Sequence, residues 1–417
     1  MKTRFMVLGS MVLGSTALVG CQGAAMSSPG GGTPSDVPTV DAVITAPALE
    51  LSTTIDGEPA PTDPDYVPTP DEGELSDRWR DELERREVDY QSALRVASMR
   101  LRGDLPTLLE IRFLEAAPDQ RAAYEAMIDD FLDDPRFVQQ LRLFWRDTMK
   151  MGGGNLDTAP NFAAQLVVEN RPITELFTAT DGNCPTFADG AFSSADCNSG
   201  APSQAGVLTD PAVMRHFFSN LAFRRVRWIQ ETFACHAFPA EVGESTDVGG
   251  VSPYTAPWDF ESISGSRTTG RVDFHDTSSV ICANCHATMN HVAPLVANFD
   301  EDGMWDDGVS VPTPLEGAPM AERTDWLPEG EGTAWRFGVP ANDLPALGAA
   351  MAADPSVHSC IAARVHNWAM GHGDVVDQLA IVPRAVTERL SATLRASGFE
   401  LRAVIYDAYT SDDFVRF

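Results

Sequence analysis

One pentapeptide restricts this 417-residue chain more than any other: Cys282-Ala283-Asn284-Cys285-His286. Two thiols three positions apart share one side of a helical turn, and a histidine follows the second at once. Cys-x-x-Cys-His is the attachment signal for c-type haem. The sulfurs of Cys282 and Cys285 add to the two vinyl groups as thioethers, and His286 reaches the iron as an axial ligand. One covalent haem c (iron) is therefore expected, attached through Cys282 and Cys285 with His286 as a metal ligand. Two other chemistries use such a pair. A thiol-redox site wants a strand, a turn and a helix around it, which residues 271–280 do not clearly give. A zinc site needs about four ligands, of which Cys282, Cys285 and His291 supply three.

Haem attachment of this kind takes place outside the cytoplasm, and the N-terminus fits export. Lys2 and Arg4 precede an apolar run over residues 5–20, too short for a membrane span of about 20 residues and shaped like a signal peptide. The run ends in Leu18-Val19-Gly20-Cys21, which resembles the lipobox of bacterial lipoproteins. That resemblance implies cleavage before Cys21 and a lipid on its sulfur. Gln22, where an Asp would signal retention at the inner membrane, favours an outer-membrane lipoprotein on the periplasmic or cell-surface side. Residues 22–75 are rich in Gly, Pro, Ser, Thr and Asp and bury too little apolar surface to fold.

The expected organisation is a signal peptide over 1–20, a lipidated cysteine and disordered linker over 21–75, an N-terminal helical domain over 76–210 and a haem-binding helical domain over 211–417. The formal charge of −30 makes nucleic acid and anionic lipid poor partners. It suits a redox partner protein with a basic docking patch.

Helix signals dominate the body, so the expected fold is mostly α: a helical body with a cytochrome-c-like haem module and long irregular loops. A charged helical pattern over 76–101 is stopped by Gly103, and Thr107 with Glu110 resembles a capping box. Asp134-Pro135, Asp210-Pro211 and Asp354-Pro355 each place a capping carboxylate before a proline that has no N–H to lose. Phe137, Leu141, Phe144 and Thr148 then fall on one face. Residues 212–233 are long enough for one central helix of six turns. Helices are expected over 356–370 and 384–396, the second capped by Gly398. Residues 150–208 and 237–280 read as irregular, and no lasting β-alternation occurs.

With Cys21, Cys282 and Cys285 assigned, Cys184, Cys197, Cys235 and Cys360 remain of the seven cysteines. In an oxidising compartment they should form disulfides, and three pairings are open. Cys184 with Cys197 would clip a Gly- and Asn-rich loop. Cys235 with Cys360 would then tie the central helix to the C-terminal ones.

Residues 100–116, 124–145 and 282–305 resemble, in order and spacing, the planctomycete-type cytochrome-like proteins. These are secreted multi-domain haem-binding proteins also found in myxobacteria. Residues 358–373 and 401–414 are similar to their C-terminal module, so the likeness covers residues 95–150 and 220–417. It implies haem at Cys282, Cys285 and His286, a structural turn at Phe299-Asp300 with Gly303, and cysteines at the positions of Cys235 and Cys360. Two places depart from the family. Its Asp-Pro-x-Gly is Asn290-His291-Val292-Ala293 here, and its Gly-Arg is Gly371-His372.

A low-spin carrier needs a sixth iron ligand, usually Met or His, whereas an open position suits peroxide or oxygen chemistry. Met289, His291, Met304, Met370 and His372 are the candidates. Met289 is too close to His286 to reach the other ring face, and Met370 is preferred. Arg224, Arg225 and Arg227 are candidate partners for haem propionates. Acidic residues 300–307 do not have EF-hand spacing and read as a plain acidic loop. No catalytic residue constellation stands out. The chain therefore reads as an anchored electron carrier, with a haem peroxidase- or oxygenase-like enzyme and a non-redox surface-binding lipoprotein as alternatives.

Overall fold

Helix starts follow the capping residues closely. The computed structural model describes residues 80–219, 222–236, 280–307, 327, 331–373, 375 and 382–417, with the backbone alone for 280–287 and 337. Helix α1 (Tyr90–Arg102) opens where Asp89 accepts the N–H groups of Gln91 and Ser92, and it closes at left-handed Gly103. Helix α2 (Leu108–Ala116) has the full capping box of Thr107 and Glu110. Asp119 caps α3 (Gln120–Asp133) and Asp134 caps α4 (Pro135–Met149). Each such cap is worth about 1 kcal/mol.

Next come α5 (Thr158–Val168), α6 (Glu175–Thr178) and a hairpin of β1 (Thr186–Ala188) with β2 (Ala191–Ser193). Asp210 caps α7 (Pro211–His216), and α8 (Phe223–Ala234) and α9 (Val280–Val296) follow. Strands β3 (Ala334–Trp335) and β4 (Val339–Pro340) pair before α10 (Leu344–Ala353). Asp354 caps α11 (Pro355–Met370). Helices α12 (Arg384–Ala396), α13 (Leu401–Thr410) and α14 (Asp412–Val415) complete a mostly helical fold.

Three expectations change. The pattern over 76–101 is not one helix, because the chain leaves helical geometry between 85 and 89, where Val88 bridges antiparallel to Arg416. The six-turn central helix is instead α7 and α8, separated at Phe217 and restarted after Ala222, whose φ of 56° is left-handed. The zone 150–208 contains α5, which is buried from Ala159 through Val167. A helix covered on every side has no polar face, so no 3.6-residue alternation marks it.

The core crosses the expected boundary at 210/211: one cluster of buried apolar side chains runs from Ala93 to Val415. The C-terminal helices close onto the N-terminal ones. The Tyr124 hydroxyl donates to the Tyr409 carbonyl at 2.7 Å, and Arg402 meets Asp133 at 2.6 Å. Of the three cysteine pairings, the structure has Cys184–Cys197 and Cys235–Cys360. The leader, Cys21 and residues 21–75 lie outside the described residues. Among those described, no helix is long and apolar enough to cross a membrane.

Candidate functional site

The helix that carries the pentapeptide is held at its far end by one buried arginine. Arg225 is 1 % exposed, in the first turn of α8. Its Nη1 donates to the carbonyls of Val296 at 2.9 Å and Phe299 at 2.7 Å, and its Nη2 to that of Asp300 at 2.8 Å. Its Nε donates to the Met214 carbonyl in α7 at 2.8 Å. Of these, the Val296 carbonyl is one that the C-terminus of α9 leaves unpaired, those of Phe299 and Asp300 belong to the turn just after it, and the positive charge sits at the negative end of the α9 dipole. Burial pulls the guanidinium down to about 10, with Asp300 opposing, so it stays charged at neutral pH.

This position corrects the propionate reading for Arg225, whose donors are committed to backbone carbonyls. Arg227 pairs with Glu231 at 2.8 Å on an exposed face, and Arg224 lies 5.9 Å from the Phe217 ring centre. Neither is on the α9 side of α8 through any contact of the described residues; both line a hollow of about 230 Å³ with Lys150 and Arg364.

The register of α8 against α9 places the motif. Thr288 donates to Gln230 Oε1 at 2.9 Å, while Arg225 meets the C-terminal turn of α9, so the helices run antiparallel. Five residues on from Gln230 is Cys235, and five back from Thr288 is position 283. At 1.5 Å per residue, the motif is level with the C-terminal end of α8. There Cys235 is bonded to Cys360 of α11. Positions 282 and 285 are helical, which puts them on one side of a turn.

Gln230 itself is fully buried, and its Nε2 has no hydrogen-bond partner among the described residues. An orphaned donor one turn from the motif, next to a helical Cys-x-x-Cys-His, is the local chemistry that a covalent haem would fit.

Met370, the preferred sixth ligand, ends α11. Arg364 donates to the carbonyls of Thr232 at 3.1 Å and Glu231 at 2.8 Å, and Cys360 Sγ is 3.6 Å from the same Thr232 carbonyl, so this part of α11 packs on the C-terminal half of α8. Met370 is ten residues beyond Cys360, about 15 Å along the α11 axis, and packs partly on the core. His372 follows just past that helix. Met304 follows the C-terminus of α9, at the end of that helix far from the motif. Met289 is buried in the core, and the His291 Nε2 meets Glu331 at 2.5 Å.

The expected turn is present. Phe299 bridges Trp305, and Asp300 Oδ1 accepts the N–H groups of Asp302 and Met304 at 2.9 and 2.8 Å. Gly303, at φ 79°, lies so close to α7 that an added Cβ would be 2.0 Å from the Pro211 carbonyl oxygen. Asp307 accepts from the Trp305 indole at 2.6 Å. Two of the acidic-loop carboxylates thus serve the turn and its neighbouring tryptophan. Cys184, Cys197 and Asp210 also lie within 4.8 Å of one another, but both sulfurs are consumed in the disulfide.

Sequence reasoning missed Arg225 as a clamp and Gln230 as a buried neighbour. A lone arginine in an Arg-Arg-x-Arg run carries no sign of which member faces inward. The hydrophobic periodicity of α8, with Val226, Ile229 and Phe233 buried beside Arg225, is the signal that separates it from Arg224 and Arg227. No family model, curated protein or solved structure matches this chain.

Proposed function

We propose that this chain is a membrane-anchored, c-type cytochrome-like lipoprotein carrying one covalent haem. Cys282 and Cys285 form the thioether links, and His286 is the axial ligand. The haem supplies a one-electron couple when bound. What supports the reading is the pairing of the Cys-x-x-Cys-His motif with a helix, α9, clamped at its other end by Arg225 and lying on α8, whose own end at motif level is tied to α11 by the Cys235–Cys360 bond. A helix held on so braced a neighbour keeps its ligand turn in place, which keeps reorganisation small during electron transfer.

The cytochrome-c-like module, the lipid on Cys21, the outer-membrane location and a redox partner with a basic docking patch belong to the same proposal. The acidic surface, −30 formally, would steer such a partner.

A haem enzyme with an open distal position is the second reading. It gains from a specific observation: Met304 lies beyond the C-terminus of α9, at the end of that helix far from the motif, and Met370 is about 15 Å along α11 from the Cys235–Cys360 bond at motif level. Absorption spectra of the oxidised and reduced protein separate the two. A low-spin spectrum that ignores cyanide supports the carrier; a high-spin spectrum that shifts on adding cyanide or peroxide supports the enzyme. A haem-containing protein with no reversible couple would instead favour a non-redox binding role.

A further inference from the structure

Helix α2 turns its apolar residues outward. Of its nine residues only Leu114 is buried. Leu109 is 79 % exposed, the highest value of any large apolar side chain among the described residues, and Leu105, Leu108 and Phe113 are each more than half exposed. Positions three and four apart share a helix face, so Leu109 and Phe113 lie in one line with Leu108 beside them, and Leu105 stands in the segment that leads in. A lone exposed leucine is ordinary on a protein surface. Four such side chains within nine positions make a patch, and a contiguous apolar patch marks an interaction site.

The charged groups of the helix are divided between the body and this face. Glu110 is committed to Arg102 at 2.8 Å and to the Thr107 N–H at 2.6 Å. Arg112, one turn after Leu108 and Leu109, is exposed and makes no hydrogen bond or ion pair among the described residues. A guanidinium among leucines suits a surface that offers phosphate above hydrocarbon. Its stem lies along the apolar part while its planar fork takes the anion.

Where the chain enters the body identifies that surface. Gln91, in the first turn of α1, donates to the Ile111 carbonyl of α2 at 3.4 Å, so α2 lies beside the turn at which the N-terminal chain joins the core. That chain leads back to Cys21. Residues 22–79 can span at most about 200 Å, so a lipid on Cys21 holds the body within that distance of a bilayer. A second copy is the weaker candidate. A stable protein interface takes about 20–30 residues a side, and two chains of formal charge −30 repel one another.

We propose that α2 docks on the bilayer that holds Cys21, with Leu108, Leu109 and Phe113 at the boundary of headgroups and acyl chains and Arg112 on lipid phosphate. The lipid is zwitterionic, because an anionic headgroup layer repels so acidic a chain. The choice of occupant rests on the lipid-anchor reading; the exposure of the face does not.

The test is flotation with phosphatidylcholine vesicles of the exported chain, processed before position 21 and carrying Cys21→Ser so that no lipid is attached. Leu109→Glu and Phe113→Ser are compared with Val339→Glu, which adds a charge at an exposed apolar position in β4. Each α2 variant should weaken partitioning by about tenfold or more, the loss of one buried leucine or phenylalanine side chain. Val339→Glu should leave it unchanged, and admixed phosphatidylglycerol should reduce it. No binding to phosphatidylcholine, binding that rises with phosphatidylglycerol, or equal binding in the α2 variants and Val339→Glu overturns the proposal. So does a chain that sediments as a dimer and becomes monomeric in Leu109→Glu, which would assign the face to a second copy. Mass spectrometry of the wild-type N-terminus tests the anchor separately. An unmodified Cys21 removes that reading, while vesicle binding that is lost in Leu109→Glu still supports a lipid-docking face.

Discussion

The guanidinium of Arg225 in α8 donates to the Val296 carbonyl in the last turn of α9 at 2.9 Å, 71 positions away in sequence. Through that contact and its three companions, one side chain joins α7, α8 and the C-terminal end of the motif helix. Arg225→Met should therefore destabilise the fold by about 3 kcal/mol or more, because the buried carbonyls of Met214, Val296 and Phe299 lose a charged donor. Arg225→Lys keeps the charge but not the planar fork and should recover only part of the loss. Urea unfolding of the two variants checks both values; equal stability to wild type would remove the clamp.

The two disulfides should differ in worth. Cys184–Cys197 closes 13 residues and Cys235–Cys360 closes 125. In the chain-entropy picture the first stabilises by about 3 kcal/mol and the second by about 4–5 kcal/mol. Paired Cys→Ala variants, compared by urea midpoint, test the order.

Gly303 and Gly398 both have left-handed backbones, at φ 79° and 75°. A Cβ at Gly398 meets nothing within 4 Å, whereas at Gly303 it meets the Pro211 carbonyl oxygen at 2.0 Å. Gly398→Ala should cost about 1 kcal/mol, the left-handed penalty alone. Gly303→Ala should cost at least twice that by forcing α7 away from the turn; thermal melts of the pair read the difference directly.

Two buried groups pull acid stability in opposite directions. Burial raises Asp210 from 3.8 to about 6 despite its bond with Thr158, so its protonation on acidification favours the native state. Its contribution is present below pH 3.8 and lost as pH rises through 6. Burial lowers His366 from 6.5 to about 4, so its neutral form favours the native state. That contribution is present above pH 6.5 and lost as pH falls through 4. Each is worth up to about 3 kcal/mol. Between pH 4 and 6, Asp210→Asn should therefore lose stability on acidification more steeply than wild type, and His366→Gln less steeply. Parallel slopes in all three would contradict the assignment.

Local chemistry was legible in the sequence, and relative placement was not. The Asp-Pro starts and the Thr107–Glu110 box appear as expected because a cap involves only the next two or three residues. The motif is legible for the same reason, since its spacing is set by the porphyrin it would hold. Helix α5 was hidden because its burial is nearly uniform. The break between α7 and α8 goes with contacts of Arg225 to Met214 and to α9, and the α9 contact lies outside any local window of residues. Met370 is preferred by residue type, and its distance along α11 from the Cys235–Cys360 bond is a property of the fold that its type does not carry.

The most direct test of the central claim is a pyridine haemochrome measurement on the denatured chain, expressed with export and haem-attachment machinery, for wild type and Cys285→Ser. Haem that stays with the denatured wild-type chain at one equivalent, with the spectrum of thioether-linked haem c and an altered or absent signal in Cys285→Ser, is the predicted result. A wild-type chain that folds and carries no covalent haem would contradict it, and would leave Cys282, Cys285 and His286 to a disulfide or a zinc site.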